Sequence, residues 1–310
     1  MASVTANAVF VDANPTLGSV MERLVRDSGG LPIHVNRQPD ITVDEIERVI
    51  GNATVAIIDH TALPTEVARN CPELKHVVFL GTGARSYMNP EELATVGVEV
   101  HTIKGYGDTA VAECAFALMW AAAKKIPIMD RNMREGIWLR SDVTQLTGKT
   151  LGLVGYGGIA AELARLARGV GMQVRAWNRT PKDAPGVSFV SLDALLAECD
   201  VLSLHLLLND ETRGFLSQER ISQLKPGAIL VNTARGALVD EQAMIEALKT
   251  GRLGHAALDV FNVEPLPADH PLTSLENVTL SAHSAFRTAE ANLNLIGAAL
   301  EHYRRIVATQ

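Results

Sequence analysis

Cysteine is scarce in this chain: Cys71, Cys114 and Cys199 are its three, far apart and never in a CxxC pair. That excludes a disulfide framework and a paired-thiolate site, fits a reducing compartment, and leads to the expectation that no metal is bound. A basic tract is missing as well. The 28 Lys and Arg against 35 Asp and Glu leave a net charge of −7, so neither nucleic acid nor an anionic membrane is expected as a partner. Long apolar runs are absent too. The longest uncharged one, Ala115–Ala123, lies between Glu113 and Lys124, well short of the roughly 20 residues that span a bilayer. The opening Met1–Asn7 has no basic segment and Asp12 interrupts the apolar run behind it. No signal peptide is therefore expected, and the expected location is cytoplasmic.

What is present is ordinary for a globular protein: 310 residues, 47% apolar and 20% charged. At roughly 150 residues per domain this predicts two domains, each with a full core. Short apolar runs alternate with helical patterns throughout, which predicts an α/β fold of parallel sheets covered by helices. The first domain's strands are predicted at Ala8–Val11, Ile33–Val35, Val55–Ile58, His76–Leu80 and Val98–His101, with a helix opening at Asn14-Pro15. Alanine-rich Thr109–Ile126, capped by Asp108 or Thr109 and stopped by Pro127, reads as one long helix bridging the domains. A second alternation predicts strands at Thr150–Val154, Val174–Ala176, Ser188–Val190, Val201–Leu204, Ala228–Asn232, Ala256–Asp259 and Val278–Leu280. A closing helix over Thr288–Val307 is expected to return to the first domain.

Leu151 to Val170 reads as a strand, a glycine turn and an amphipathic helix. The turn Gly155-Tyr156-Gly157-Gly158-Ile159-Ala160 matches a dinucleotide fingerprint with alanine at the third position. Gly155 permits the tight turn, and Gly157 lets the backbone approach a pyrophosphate held at the helix N-terminus. The strand before and the helix after give the motif its weight. A carboxylate about 20 residues further on would bind a ribose 2′-hydroxyl and mark NAD. That region offers Asn178, Arg179 and Thr180 instead, a trio that would repel no phosphate and includes a bidentate donor. NADP is the expected cofactor, with NAD possible; the alternative is that Arg179 is a solvated surface charge.

Three later strands end in polar residues: Thr233-Ala234-Arg235 after the first, Asp259 and Glu264 after the second, His283 after the third. Ligands bind outside the carboxyl ends of such strands. The blocks Asn232–Asp240 and Ala257–Leu266, with the mid-chain fingerprint, resemble the D-isomer-specific 2-hydroxyacid dehydrogenases, which include glyoxylate/hydroxypyruvate reductases and phosphoglycerate dehydrogenase. The similarity runs from Gly81-Thr82-Gly83 through Val111-Ala112-Glu113 to His283.

The resemblance implies a Rossmann dinucleotide-binding domain at 104–284, doubly wound, inserted into a flavodoxin-like substrate (lid) domain made of 1–103 and 285–310. It implies that Arg235 binds the carboxylate of a small 2-keto acid. It makes His283 the proton donor in reduction, with Glu264 hydrogen-bonded to it and favouring the imidazolium. It also implies that Asp259 holds the nicotinamide carboxamide and that Thr82, Gly83 and Ala84 clamp the substrate carboxylate. His205 lines the adenosine side or is structural. A homodimer through the nucleotide-binding domain is expected, consistent with the apolar Ala115–Ala123 helix and Trp138. The chain departs from its relatives at Leu206–Asn209 and at the pocket loop, which makes Ser86, Tyr87 and Phe286 candidates for substrate specificity. Other activities stay open: a phosphoglycerate- or phosphite-oxidising enzyme, or a non-catalytic, dinucleotide-sensing corepressor-like protein.

Overall fold

The computed structural model describes residues 7–38, 41–180 and 182–309; residues 1–6, read above for a leader, lie outside them. The chain divides into two compact units, Met1–Gly107 with Thr288–Gln310, and Asp108–Arg287. Both are parallel-sheet α/β domains.

The first unit runs β1 (Ala8–Phe10), α1 (Pro15–Asp27), β2 (Ile33–Val35), α2 (Val43–Ile50), β3 (Val55–Ile58), α3 (Thr65–Arg69), β4 (His76–Phe79), α4 (Pro90–Thr95) and β5 (Glu99–Thr102). The strands pair in the order β2-β1-β3-β4-β5, the flavodoxin-like arrangement. Asn14 caps α1 as its sequence predicts, accepting the N–H groups of Thr16 and Leu17, with Pro15 in the first turn. Side chains alternate across each strand. Val9, Ala56, Ile58, Val77 and Phe79 therefore enter one core layer, while Phe10, Val55, Ile57 and Val78 enter the other. Each fully buried aliphatic or aromatic side chain contributes about 1.5–3 kcal/mol. Asp12 is also fully buried. Its carboxylate accepts the N–H groups of Asp59, His60 and Thr61 at 2.8, 2.7 and 2.7 Å, which offsets the cost of burying it.

The second unit runs α5 (Asp108–Ala123), α6 (Ile126–Arg134), β6 (Thr150–Val154), α7 (Gly158–Gly169), β7 (Gln173–Trp177), β8 (Ser188–Phe189), α8 (Leu192–Glu198), β9 (Val201–Leu204), α9 (Gln218–Gln223), β10 (Ala228–Asn232), α10 (Glu241–Lys249), β11 (Leu253–Leu258) and β12 (Val278–Leu280). Its seven parallel strands are ordered β12-β11-β10-β9-β6-β7-β8. The winding reverses between β6 and β9, so a crevice opens at the carboxyl ends of those two strands. The closing helix α11 (Ala289–Ala308) belongs to the first unit. There it packs on α1 and β4 and buries Leu295, Ile296, Leu300 and Tyr303.

One sequence expectation fails around α5. The segment Thr109–Ile126 is not one bridging helix. It stops at Ala123, Lys125 takes a left-handed conformation (φ 51°), and α6 begins with Pro127 in its first turn. Proline loses no intrahelical bond in a first turn, so it starts a helix here rather than stopping one. Within Ala115–Ala123, Ala115, Leu118, Met119, Ala122 and Ala123 are buried in the second unit's core, with α5 packed on α7, β10 and β11, while Ala117 is exposed and Phe116, Trp120 and Ala121 are half-buried. Among the described residues no helix is long and apolar enough to cross a membrane.

His255, on β11, is 4% exposed and hydrogen-bonded to Thr279 Oγ1 at 2.9 Å. Burial, with some help from Lys125, pushes its imidazole down to about 4. The unfolded chain takes up this proton near pH 6.5. Stability is thus complete above that value and falls as pH drops from about 6.5 towards 4, by about 2 kcal/mol at pH 5. The melting temperature is expected to drop between pH 7 and pH 5, and less so in His255→Gln; equal pH slopes would refute the assignment.

Candidate active site

The glycine turn between β6 and α7 meets strict steric limits. Gly155 has φ 87°, and a Cβ there would lie 2.7 Å from the His205 carbonyl oxygen, so the turn needs glycine. Its N–H donates to the Trp177 carbonyl at 2.8 Å. Gly157 faces open space and caps α7 without a side-chain bond, leaving the helix's first N–H groups free for an anion. Ala160 is fully buried under the helix, where a small side chain is needed for the helix–sheet contact. Gly158 meets a neighbour that the sequence concealed, because a Cβ there would strike the Asp108 carboxylate. Burial, reinforced by the charge of Glu162, pushes the Asp108 carboxyl up.

At the end of β7, Asn178 works as a staple. Its Oδ1 accepts the Tyr156 N–H at 3.0 Å and its Nδ2 donates to the Thr180 carbonyl at 2.7 Å. Arg179 pairs with Glu211 at 3.1 Å, the two side chains being 82% and 74% exposed. Thr180 is exposed beside it. Lys182, overlooked in the sequence, reaches back to the Tyr156 carbonyl at 2.6 Å and brings a second cation to this edge. A cation within five residues of a strand that ends without an acid was the signal available. His205 follows β9 and bonds Ser203 Oγ at 2.9 Å; burial pushes its imidazole down to about 4, so it is neutral at pH 7. The divergent loop behind it closes on itself through Thr212, which donates to the Leu207 carbonyl at 2.6 Å.

Arg235, Asp259, Glu264 and His283 follow the carboxyl ends of β10, β11 and β12, which are neighbours in the sheet. Hydrogen bonds link these loops in series. Asn232 Oδ1 accepts the Ala234 N–H, and its Nδ2 donates to the Arg235 carbonyl at 2.9 Å. The Asp259 N–H donates to the Asn232 carbonyl at 3.0 Å, and the His283 N–H to the Asp259 carbonyl at 2.7 Å. Gly236 lets the Arg235 loop touch the backbone of Phe261 and Asn262, where no Cβ fits.

Glu264 spans the remaining gap: Oε1 accepts the Phe261 N–H at 2.8 Å, and Oε2 meets His283 Nδ1 at 2.6 Å. With Nδ1 engaged, Nε2 is the ring nitrogen free to serve a substrate. The His283 backbone is left-handed, φ 48°, a conformation that costs of order 1–3 kcal/mol in a non-glycine residue. Asp259 holds it there. Its fully buried carboxylate accepts the N–H groups of Ser284 and Ala285, each at 3.0 Å. The resemblance implied a nicotinamide contact for Asp259; within the chain its oxygens also close the His283 loop. The Phe286 ring stands edge-on to His283, centroids 6.2 Å apart.

Arg235 is half-buried, and its Nη1 donates to the Ala234 carbonyl at 2.6 Å. Among the described residues no carboxylate pairs with it, so the guanidinium edge is open to a planar anion. Thr82, Gly83 and Ala84 belong to the first unit, past the end of β4, where Ala84 and Ser86 bound a short 3₁₀ turn. The Tyr87 ring tilts against Phe79 at 5.3 Å.

A dinucleotide fits the second unit on one further observation. Thr233 Oγ1, at the end of β10, is buried and has no hydrogen-bond partner among the described residues. Such an orphan calls for a polar group supplied from outside the chain. Gly155–Ile159 would hold the pyrophosphate and Thr233 with Ala234 the nicotinamide side.

Residues 116–285 match the family described as D-isomer specific 2-hydroxyacid dehydrogenase, NAD binding domain. The chain is 37% identical over 258 residues to a glyoxylate reductase of Korarchaeum cryptofilum, covering 79% of this chain and 76% of that one. It is 36% identical over 256 residues to a hydroxypyruvate reductase of Thermotoga maritima, covering 80% and 83%. Against a D-3-phosphoglycerate dehydrogenase of Archaeoglobus fulgidus it is 36% identical over 256 residues, 81% of this chain but 48% of that relative, about half its length. Among solved structures, an acyclic imino acid reductase in complex with NADPH and D-Arg superposes with a TM-score of 0.88 at 27% identity, covering 98% and 97% of the two chains.

Proposed function

Because the chain belongs to the D-isomer-specific 2-hydroxyacid dehydrogenase family, we propose that it is an NADP(H)-preferring reductase of small 2-keto acids, with glyoxylate and hydroxypyruvate as substrates. One observation carries the reading: the Glu264–His283 pair, at 2.6 Å, is tied through Asp259 and Asn232 to the loop of an Arg235 that, among the described residues, no carboxylate neutralises. Arg235 binds the substrate carboxylate and polarises the 2-keto oxygen. The bound nicotinamide supplies the hydride to C2. His283 gives its Nε2 proton to the oxygen as negative charge develops there, and Glu264, bonded at Nδ1, holds the ring in the orientation that this requires. The backbone amides of Thr82, Gly83 and Ala84 are assigned to the substrate carboxylate in the same reading. Relatives that bear the names glyoxylate reductase and hydroxypyruvate reductase support the substrate class.

Arg179 and Lys182 support the preference for NADP. The Arg179–Glu211 pair is too exposed to contribute much, so a 2′-phosphate displaces it readily. A charge-assisted hydrogen bond is worth about 1.5–3 kcal/mol, roughly 10- to 150-fold in affinity. Steady-state rates with glyoxylate, hydroxypyruvate, phosphoglycerate and phosphite against both coenzymes test the whole reading. NADPH with a short 2-keto acid is expected to give the highest kcat/KM. Arg179→Ala with Lys182→Ala is expected to lower the NADPH/NADH ratio by at least about tenfold. A higher kcat/KM with NADH removes the NADP assignment, and no turnover with any acid leaves the corepressor-like alternative.

A homodimer and a cytoplasmic location complete the reading. Ile126, Met133, Ile137, Trp138, Leu139 and Val143 are exposed, Trp138 at 72%, an apolar patch of the kind that marks an interface. Trp138→Glu is expected to shift the sedimentation coefficient to that of a monomer; an unchanged value would rule this segment out.

A further inference from the structure

The unit that carries no nucleotide fingerprint holds a second cluster of reactive side chains. His76 lies on β4 and pairs in register with Glu99 on β5, while His101 follows Glu99 by two residues. Side chains repeat every second residue along a strand, so all three stand on one face of the sheet, at its β5 edge. His76 Nδ1 is 3.2 Å from His101 Nε2. A Glu99 carboxylate oxygen lies 3.6 Å from the first nitrogen and 3.8 Å from the second. The two imidazoles are about one-fifth exposed, whereas Glu99 is 68% exposed. The cluster is therefore reachable from solvent and backed by protein.

We propose that His76, Glu99 and His101 form a binding site for a divalent transition-metal ion of the zinc class, with water in the fourth position. The spacing is the reason. Bonds of about 2.0–2.1 Å at tetrahedral angles put ligand atoms about 3.3–3.4 Å apart, and the three observed separations lie within a few tenths of an ångström of that. Two imidazoles and one carboxylate suit zinc, nickel or copper and disfavour magnesium or calcium, which take all-oxygen sets. The imidazoles must be neutral to coordinate. From α11, the His302 ring packs on His101 with centroids 5.6 Å apart. A bound ion would tie the edge strand β5 to β4. The scarcity of cysteine led to the expectation of no metal; a histidine–glutamate set formed by strand register leaves no such compositional mark.

Calorimetric titration of the chelator-treated full-length protein with Zn²⁺ tests the site. Expected are one ion per chain, a melting temperature raised by Zn²⁺, and affinity at least about 100-fold weaker in His76→Gln/His101→Gln. Should that double variant fail to fold, Glu99→Gln at the exposed edge is expected to bind at least about tenfold more weakly. His283→Gln serves as the control and is expected to keep the ion. Absence of stoichiometric binding, binding unchanged in the edge variants, or binding lost in His283→Gln would each overturn the proposal.

Discussion

His283→Gln is expected to lower kcat by about 10²–10⁴-fold while coenzyme affinity stays within about twofold of the parent. Glutamine keeps a hydrogen bond towards Glu264, so the loop that Asp259 pins through Ser284 and Ala285 has no reason to move. What is lost is the proton. An amide cannot donate one to a developing alkoxide and be reprotonated within each turnover, whereas an imidazole held at Nδ1 by Glu264 at 2.6 Å presents Nε2 for that purpose. Steady-state kcat with coenzyme binding followed by fluorescence separates the two effects. Turnover near that of the parent would remove His283 as the proton carrier. Glu264→Gln should fall between the two, because it leaves the proton carrier in place and weakens only its orientation.

Arg235→Gln carries the second large effect. A half-buried guanidinium with only the Ala234 carbonyl as partner among the described residues is a costly arrangement unless a ligand completes it. The substrate carboxylate would do so through two parallel hydrogen bonds. Removing one member of such a charge pair costs about 2–5 kcal/mol, so kcat/KM is expected to fall by roughly 30- to 5000-fold. KM should rise because the carboxylate is lost, and kcat should fall because the keto group is no longer polarised. Arg235→Lys keeps the charge without the planar fork and should recover part of the loss. Kinetics unaltered in both variants would show that Arg235 serves only its own loop.

The legible parts of the fold share one cause. Parallel strands buried on both faces need mostly apolar side chains, so β3, β6, β9 and β10 stand out as short runs dominated by Val, Ile, Leu and Ala. Their ends are marked where polar residues return, and Arg235, Glu264 and His283 could be picked out for that reason. Less legible were features in which backbone geometry or a distant partner decides. Pro127 marks a helix end or a helix start depending on the residue before it, and the left-handed turn at Lys125 settled which. An apolar helix such as α5 does not tell in sequence which of its sides is buried; here Ala112, Ala115, Leu118, Met119 and Ala122 pack against α7 and the sheet.

The sequence alone determined the class of fold, the fingerprint at Gly155–Ala160 and the order of polar residues behind the later strands, because those depend on local side-chain chemistry and spacing. Tertiary structure decided what each residue touches. It paired Glu264 with His283, turned Asp259 towards the loop behind them, set Asp108 against Gly158, and brought Lys182 back to the Tyr156 carbonyl. Those contacts join positions between 19 and 50 residues apart in the chain. Only strand order and register bring such positions within hydrogen-bonding distance, and neither is written in any single segment.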